Sequence, residues 1–412
     1  MGKERKFLML GYTENNNCLV CQEKVDIEYL DLNDQPLANS YHHGESLKKY
    51  PLRMKVCSNC WHSQLSVSVD PSEMFEHYLY ISDTSKTLTD YFVWAKDYIV
   101  NKSELKSGRV LEIACNSGLF LEMFQSEGFE CVGVDPAKNI HELAAKRNLN
   151  VYVDFWGSRF SNVLKQKEKP FDLILAFNVL AHVSDPNEFI KACKNVLAPG
   201  GRIFIQTSQC DMFLNNEIDV IYHEHTSYFT GSSIKKIARN HGMYVSSIVK
   251  TDIHGKSFLF SLQNESCDEK ELEDLMAIES YNNIYTIDKY YSYANNASEI
   301  KTKLLQGLQE FRDAGYLLVG YGAAAKGNTL LNYIEYKLDY IIDDSEMKWG
   351  YLTPGQDIEI CSIALLKNNI EKICFVPLAW NFYNEIRERI CKVRDIKNDV
   401  FVRYFPEYKV EN

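Results

Sequence analysis

The sequence lacks any apolar run long enough to cross a bilayer: stretches such as Leu173–Phe177 fall far short of the roughly 20 residues a spanning helix needs. Its opening, MGKERKFLMLGYTENN, has no apolar core of a secretory signal, so the chain is expected to be cytoplasmic with reduced thiols. Positive charge is in deficit, with 45 Lys and Arg against 56 Asp and Glu and a net charge of −11. That field disfavours nucleic acid and anionic membranes as generic partners. No low-complexity segment occurs, and no His-Glu-x-x-His pattern, which removes a helix-borne catalytic metal pair. What is present is ordinary for a soluble globular protein: 45 % apolar and 25 % charged residues over 412 positions, a length of two or three domains at roughly 150 residues each. Twelve cysteines stand out, although at about 3 % of residues they do not form a small disulfide scaffold.

Four of the twelve are paired. Cys18-Leu-Val-Cys21 and Cys57-Ser-Asn-Cys60 form two CxxC turns with 35 residues between them. Each turn places two thiolates on one face of a knuckle, and two knuckles complete the tetrahedral four-sulfur site that zinc accepts. The wide gap predicts a strand hairpin between them. A thioredoxin-type redox pair is single and opens a helix, so the reading is a closed, structural zinc centre. His62, two residues past Cys60, reads as a packing or surface residue. The other eight cysteines show no paired spacing and mostly sit in apolar segments.

From residue 109 onward short apolar strands alternate with helices. Arg109–Cys115, Cys131–Asp135, Asp172–Phe177 and Arg202–Thr207 read as strands, with helices over Leu119–Glu127 and 137–147. This pattern predicts an α/β doubly wound parallel sheet. Residues 264–314 are helical in period. A second α/β unit follows, with strands over Tyr316–Gly320, Tyr340–Asp343 and Lys372–Pro377. The expected division is 1–80, 81–263 and 264–412: a small cysteine-bearing domain, a central sheet, and a helical linker leading to a Rossmann-like domain.

The chemistry concentrates at the carboxyl ends of the central strands. Glu112 closes one strand, the turn Ala114-Cys-Asn116-Ser-Gly118 opens a helix, and Asp135 ends the next strand. Backbone N–H groups at a helix start hold anions, and a strand-end carboxylate accepts from ribose hydroxyls. The loop is not GxGxxG. It resembles the E/D-x-G-x-G/N-x-G motif of class I S-adenosylmethionine methyltransferases, with Ala114 at the first glycine, where alanine fits only if φ is not positive. Asn178 follows the strand DLILAF and His182 lies four residues on. Tyr222-His-Glu224-His225 packs two imidazoles, a carboxylate and a phenol into four positions, a set suited to proton abstraction from carbon.

The ordered combination resembles the nucleotide-sugar C-methyltransferase family. It runs through the double CxxC, Gln35-Pro-Leu-Ala-Asn-Ser, Pro71-Ser-Glu-Met-Phe with Tyr78-Leu-Tyr80, LEIACNSG, NVLAH and YHEH. It ends on Gly320-Tyr321-Gly-Ala-Ala-Ala-Lys326-Gly-Asn328 and Leu378-Ala-Trp380-Asn381. The resemblance implies S-adenosylmethionine-dependent methylation at C3 of a nucleotide-linked 4-keto-deoxyhexose, with structural zinc at Cys18, Cys21, Cys57 and Cys60. It places the cofactor on Glu112, Asn116, Gly118, Asp135 and Asn178, and the nucleotide-sugar on Tyr321, Lys326, Asn328, Trp380 and Asn381. His225 is implied as base, with Glu224 orienting it or contacting the sugar. Tyr222, His182 and Tyr78 or Tyr80 are implied to steady the enolate or to take the base role themselves. The expected assembly is a monomer or weak oligomer.

Two features depart from the family or compete with it. The stretch His254-Gly255-Lys256-Ser257 stands where the family often has an arginine-bearing sequence, leaving Lys256 as the candidate cation. Gly320-x-Gly322-x-x-Ala325, with Asp343 beyond it, fits a dinucleotide fingerprint. An NAD-dependent sugar oxidoreductase or epimerase is thus a rival reading, as is a sugar O-methyltransferase on the same donor fold.

Overall fold

A computed structural model describes residues 11–75, 86–208, 211–253, 256–405 and 407–412. Three sheets of four or more strands organise them, together with a two-stranded ribbon of Tyr12–Glu14 and Val67–Val69.

The expected hairpin between the cysteine pairs is present: Ile27–Pro36 pairs antiparallel with Lys49–Val56. Lys49–Val56 alternates buried and less buried positions, as a sheet packed on one face requires. Ser63–Leu65 extends this sheet, and the fourth strand, Ser227–Tyr228, arrives from far along the chain. The segment carrying Tyr222–His225 is therefore tied to the cysteine-bearing region through backbone pairing.

The central sheet has seven strands in the order Tyr244–Thr251, Ser257–Gln263, Leu197–Ser208, Phe171–Phe177, Arg109–Ile113, Glu130–Val134 and Asn150–Tyr152. All pairings are parallel except those of Ser257–Gln263, which runs against both neighbours. Phe171–Phe177 is buried at six of seven positions because helices cover both faces. Phe160, Leu164, Phe189 and Ile190 pack on one side, and Phe92, Ile99, Phe120 and Phe124 on the other. The Pro199-Gly200-Gly201 turn lies inside the long strand Leu197–Ser208, as an irregularity in register between Leu197 and Arg202.

Helices Lys270–Tyr281 and Ile287–Asp313 fill the expected helical stretch. The third sheet runs Ile360–Cys361, Tyr340–Ile342, Leu317–Tyr321, Ile373–Pro377, Val400–Arg403 and Lys409–Glu411, parallel except for the last pair. One apolar cluster joins all three regions: Leu30, Met54, Ile218, Tyr293, Leu318 and Tyr404 belong to it. No helix among the described residues is long and apolar enough to cross a membrane.

Candidate active site

The four paired sulfurs converge. Cys18, Cys21, Cys57 and Cys60 each offer a sulfur, and these all lie within 4.8 Å of one another. The cross-knuckle distances are 3.6 Å for Cys18–Cys60 and 3.5 Å for Cys21–Cys57. A zinc ion bonded to sulfur at about 2.3 Å in a tetrahedron sets its sulfurs about 3.8 Å apart, so the donor set and spacing both fit that metal. All other described cysteines are free thiols.

The central loop is built around Asp135. Its two carboxylate oxygens accept from the N–H groups of Asn116 at 2.8 Å and Ala137 at 2.9 Å, which ties the strand end to the loop beside it. Two acceptors of about four lone pairs are thereby used, leaving capacity for ribose hydroxyls. Burial raises the Asp135 carboxyl above its ordinary range, and the two backbone donors partly counter this. Glu112 is buried, and its Oε2 has no hydrogen-bond partner among the described residues. Desolvation, and then the charge of Asp135, push its carboxyl far above the usual range. A buried acid with an orphaned oxygen beside a second acid is the electrostatic complement of a cationic ligand. Asn178 at the next strand end has φ +52° and a buried Oδ1 likewise without a partner among these residues. Gly118, φ +79°, opens helix Leu119–Ser126 where an added Cβ would lie 2.4 Å from Leu149.

Ala114 corrects the condition set by the sequence. It lies at φ +58°, the left-handed region where a Cβ is strained, and its N–H is committed to the Val134 carbonyl at 2.7 Å. The alanine is held there by its neighbours despite that strain.

The imidazole of His225 is fixed on both nitrogens. Nδ1 donates to the Val220 carbonyl at 2.7 Å, and Nε2 lies 2.9 Å from the Tyr222 hydroxyl. The carbonyl can only accept, so the neutral ring is protonated at Nδ1 and its lone pair at Nε2 faces the phenol. His182, on the short turn Leu180–His182, sets its ring edge-on to His225 with centroids 4.9 Å apart. Helix Pro186–Val196 fixes that turn from behind, with Asp185 accepting from the Glu188 N–H and Pro186 at its start. Phe75 packs on His182 at 6.0 Å, while Tyr78 and Tyr80 lie outside the described residues. Glu224 accepts from the Asn39 carboxamide at 2.5 Å, so its carboxylate is anchored from the cysteine-bearing region.

The carboxyl-terminal candidates divide. Trp380 donates its indole N–H to Asp219 at 2.7 Å, and Lys326 lies over its ring at 5.1 Å. Asn381 is exposed beside them. Asn328 is buried, its carboxamide donating to the Ala38 carbonyl at 2.8 Å. Tyr321 does not join this group: it is 2 % exposed among Ile342, Phe375 and Tyr383, and its hydroxyl donates to Asp344. Alternation along a strand sends it to the sheet face opposite Leu318, which faces the shared core. Lys256 pairs with Asp252. Asp343, the fingerprint acid, accepts from the Ala323 and Ser345 N–H groups and also meets the Lys348 ammonium at 3.3 Å. The position a dinucleotide ribose would need is thus neutralised from within.

Sequence reasoning missed the groups that hold these parts in place. Asn39 and Tyr41 reach across from the cysteine-bearing region, the latter donating to the Ala323 carbonyl at 2.7 Å. Asn39 lies inside the Pro36-Leu-Ala-Asn-Ser40 stretch. The anchoring Val220 carbonyl has no side-chain signature at all.

A seven-stranded sheet with one antiparallel strand, carrying an acid–loop–acid site at its carboxyl edge, defines a class I S-adenosylmethionine-dependent methyltransferase. Family models match along the chain: a zinc binding domain over residues 18–75, a methyltransferase domain over 94–248, and a C-methyltransferase C-terminal domain over 252–406. C-methyltransferase NovU of Streptomyces niveus is 26 % identical over 385 residues, covering 90 % of this chain and 91 % of that protein. The ubiquinone biosynthesis O-methyltransferase of Xylella fastidiosa is 33 % identical over 113 residues, 27 % of this chain and 46 % of the relative. Among solved structures, magnesium protoporphyrin IX methyltransferase (ChlM) from Synechocystis superposes with a TM-score of 0.33 at 13 % identity, over 42 % of this chain and 78 % of that one. The order of the three models and the relative that spans nine-tenths of the chain support an S-adenosylmethionine-dependent C-methyltransferase with an N-terminal zinc-binding domain.

Proposed function

We propose that the enzyme methylates C3 of a nucleotide-linked 4-keto-deoxyhexose through an enolate. The observation that carries this reading is the His225 ring, held by Val220 in the tautomer whose Nε2 lone pair meets the Tyr222 hydroxyl. A methyl acceptor carbon must first lose a proton, and a ketone beside it makes that proton acidic. The pair His225–Tyr222 then acts as the base, with the electron pair of the broken C–H bond moving onto the C4 oxygen. The Tyr222 oxygen takes the C3 proton as its own O–H proton passes to Nε2, or the phenol swings aside and leaves Nε2 to take the C3 proton. His182, edge-on to the base, and Glu224, one residue before it and anchored by Asn39, are the further polar groups that would meet the sugar. Asp135, Glu112 and Asn178 would hold S-adenosylmethionine, whose sulfonium would supply the methyl group for the enolate carbon, the C–S bond electrons staying on sulfur as S-adenosylhomocysteine leaves. The zinc centre is structural and keeps the Asn39 and Tyr41 loop in place.

Nucleotide-linked 4-keto-deoxyhexoses incubated in D₂O without cofactor test the reading. The wild-type protein is expected to exchange the C3 proton, and addition of S-adenosylmethionine to add 14 mass units, the mass of a CH₂. His225→Gln is expected to lose at least about 1,000-fold in exchange while keeping both affinities, and Tyr222→Phe to lose about 10- to 100-fold. Methyl transfer without exchange would assign the acceptor to a hydroxyl instead.

A further inference from the structure

The proton-transfer machinery leaves unused a buried acid one residue from its anchor. Asp219 is 1 % exposed, and its Oδ2 accepts from the Trp380 indole at 2.7 Å and from the Tyr404 hydroxyl at 3.1 Å, whose proton it shares with the Leu378 carbonyl at 3.0 Å. Both donors follow strands of the carboxyl-terminal sheet, Ile373–Pro377 and Val400–Arg403. Oδ1 has no hydrogen-bond partner among the described residues. Burying a carboxylate with one oxygen unsatisfied is costly, and an apolar side chain would fill this core without that cost. The next residue, Val220, supplies the carbonyl that fixes His225. Ile218, Val220 and Ile221 are all buried, and Tyr293 donates to the Glu217 carbonyl at 2.7 Å, so this stretch of backbone is held along its length.

We infer that Asp219 is a positioning residue that registers the carboxyl-terminal sheet edge against the catalytic imidazole. Trp380, with Lys326 over its ring, stands on the edge where the family resemblance implies that the nucleotide-sugar binds. The path Trp380 indole, Asp219 carboxylate, Val220 carbonyl, His225 imidazole is short and made of hydrogen bonds joined by one peptide unit. It places the base and the sugar platform in one frame, although they come from different sheets. A displacement near 1 Å between a base and its carbon costs about 100-fold in rate, which sets the size of the effect. The inference rests on the enolate reading and adds to it the residue that carries alignment between domains.

The zinc-loaded full chain tests it, with C3 exchange in D₂O measured across pH and without S-adenosylmethionine. Asp219→Ala is expected to slow exchange about 100-fold and to shift the pH profile, since the base loses its alignment, while affinity for S-adenosylmethionine changes by less than about twofold. Asp219→Asn keeps an oxygen that accepts from the indole and the phenol, so exchange is expected to recover to within about 10-fold of wild type. Tyr404→Phe removes one donor and is expected to slow exchange a few-fold, which keeps the test open if the alanine variant does not fold. Exchange at the wild-type rate in Asp219→Ala or Tyr404→Phe would overturn the role of Asp219, as would equal losses of exchange and cofactor affinity. A wild-type protein that shows no exchange would instead overturn the enolate reading beneath it.

Discussion

In the central sheet, Ala114 follows the strand Arg109–Ile113 and donates its N–H to the Val134 carbonyl at 2.7 Å; in the carboxyl-terminal sheet, Gly322 follows Leu317–Tyr321 and donates to Ile342 at the same distance. Both have positive φ, +58° and +94°. Each neighbouring strand leads into an aspartate, Asp135 or Asp343, that clasps a loop N–H with one oxygen and the N–H two residues on with the other. Beyond this shared turn the two sites diverge. Glu112, buried with an orphaned oxygen, has as its counterpart Gly320, where an added Cβ would lie 2.8 Å from Ile341. Asp135 keeps open acceptor capacity, whereas Asp343 also holds Lys348. That ammonium donates to the Ala323 carbonyl, which Tyr41 contacts as well. One turn geometry thus serves a ligand in one sheet and closes on its own chain in the other. The backbone supplies the turn; the charges around it decide whether a nucleotide enters.

The harshest way to break this contrast is to remove the cover. Cys57→Ser takes one sulfur from a four-sulfur centre worth roughly 10 kcal/mol or more to a small metal-dependent fold. Metal analysis is expected to show loss of the single zinc per chain, circular dichroism to show loss of the Ile27–Pro36 hairpin region, and turnover to fall at least about 100-fold as Asn39 and Tyr41 leave their partners. Titration of this variant with NAD is expected to give no binding, because Lys348 remains on Asp343. Micromolar NAD affinity would show that the zinc-binding domain, and not Lys348, keeps that turn closed.

Next in size is the turn itself. Gly322→Ala adds a Cβ at positive φ, 2.9 Å from the Ala379 Cβ, and is expected to destabilise the protein by about 3 kcal/mol in urea unfolding. An unchanged midpoint would mean that the 378–379 backbone yields freely. The aspartates come third. Asp135→Ala is expected to weaken S-adenosylmethionine binding by about 2 kcal/mol, roughly 30-fold, while Asp343→Ala leaves that affinity alone and costs about 2 kcal/mol of stability. Equal effects of the two on cofactor binding would erase the distinction between the sites.

Much of this was readable in the residues. Cys18, Cys21, Cys57 and Cys60 announce a metal centre by spacing, because a CxxC turn fixes sulfur geometry locally. Asp135 is legible for a similar reason, since the end of a buried parallel strand is marked by the first charge after an apolar run. What escaped is what depends on distant chain segments. Nothing in Pro-Leu-Ala-Asn-Ser says that Asn39 meets Glu224, 185 positions away, at 2.5 Å. Tyr321 reads as part of a binding stretch with Lys326 and Asn328, but alternation in a strand turns it into the opposite core. Asp343 matches a fingerprint whose meaning is reversed by Lys348, a residue outside that fingerprint.

The smallest expected effect concerns Ala114, and it bears most directly on why the two turns differ. Alanine in the left-handed region costs about 1–2 kcal/mol relative to an unstrained conformation, while glycine adopts it freely and loses about 0.5–1 kcal/mol of unfolded-chain entropy. Ala114 is only half-buried, so its methyl group contributes little packing. Ala114→Gly is therefore expected to stabilise the central domain by about 1 kcal/mol, seen as a higher urea midpoint at unchanged slope. The matching change in Gly322→Ala has the opposite sign and is larger, because Ala379 adds a clash that the half-exposed central turn lacks. If Ala114→Gly instead lowers the midpoint, the methyl group makes contacts that outweigh its strain. If it raises the midpoint but weakens S-adenosylmethionine, the strain belongs to the site: a stiff Ala114 keeps the Asn116 N–H on Asp135 before the ligand arrives, and a glycine there gives up that preorganisation.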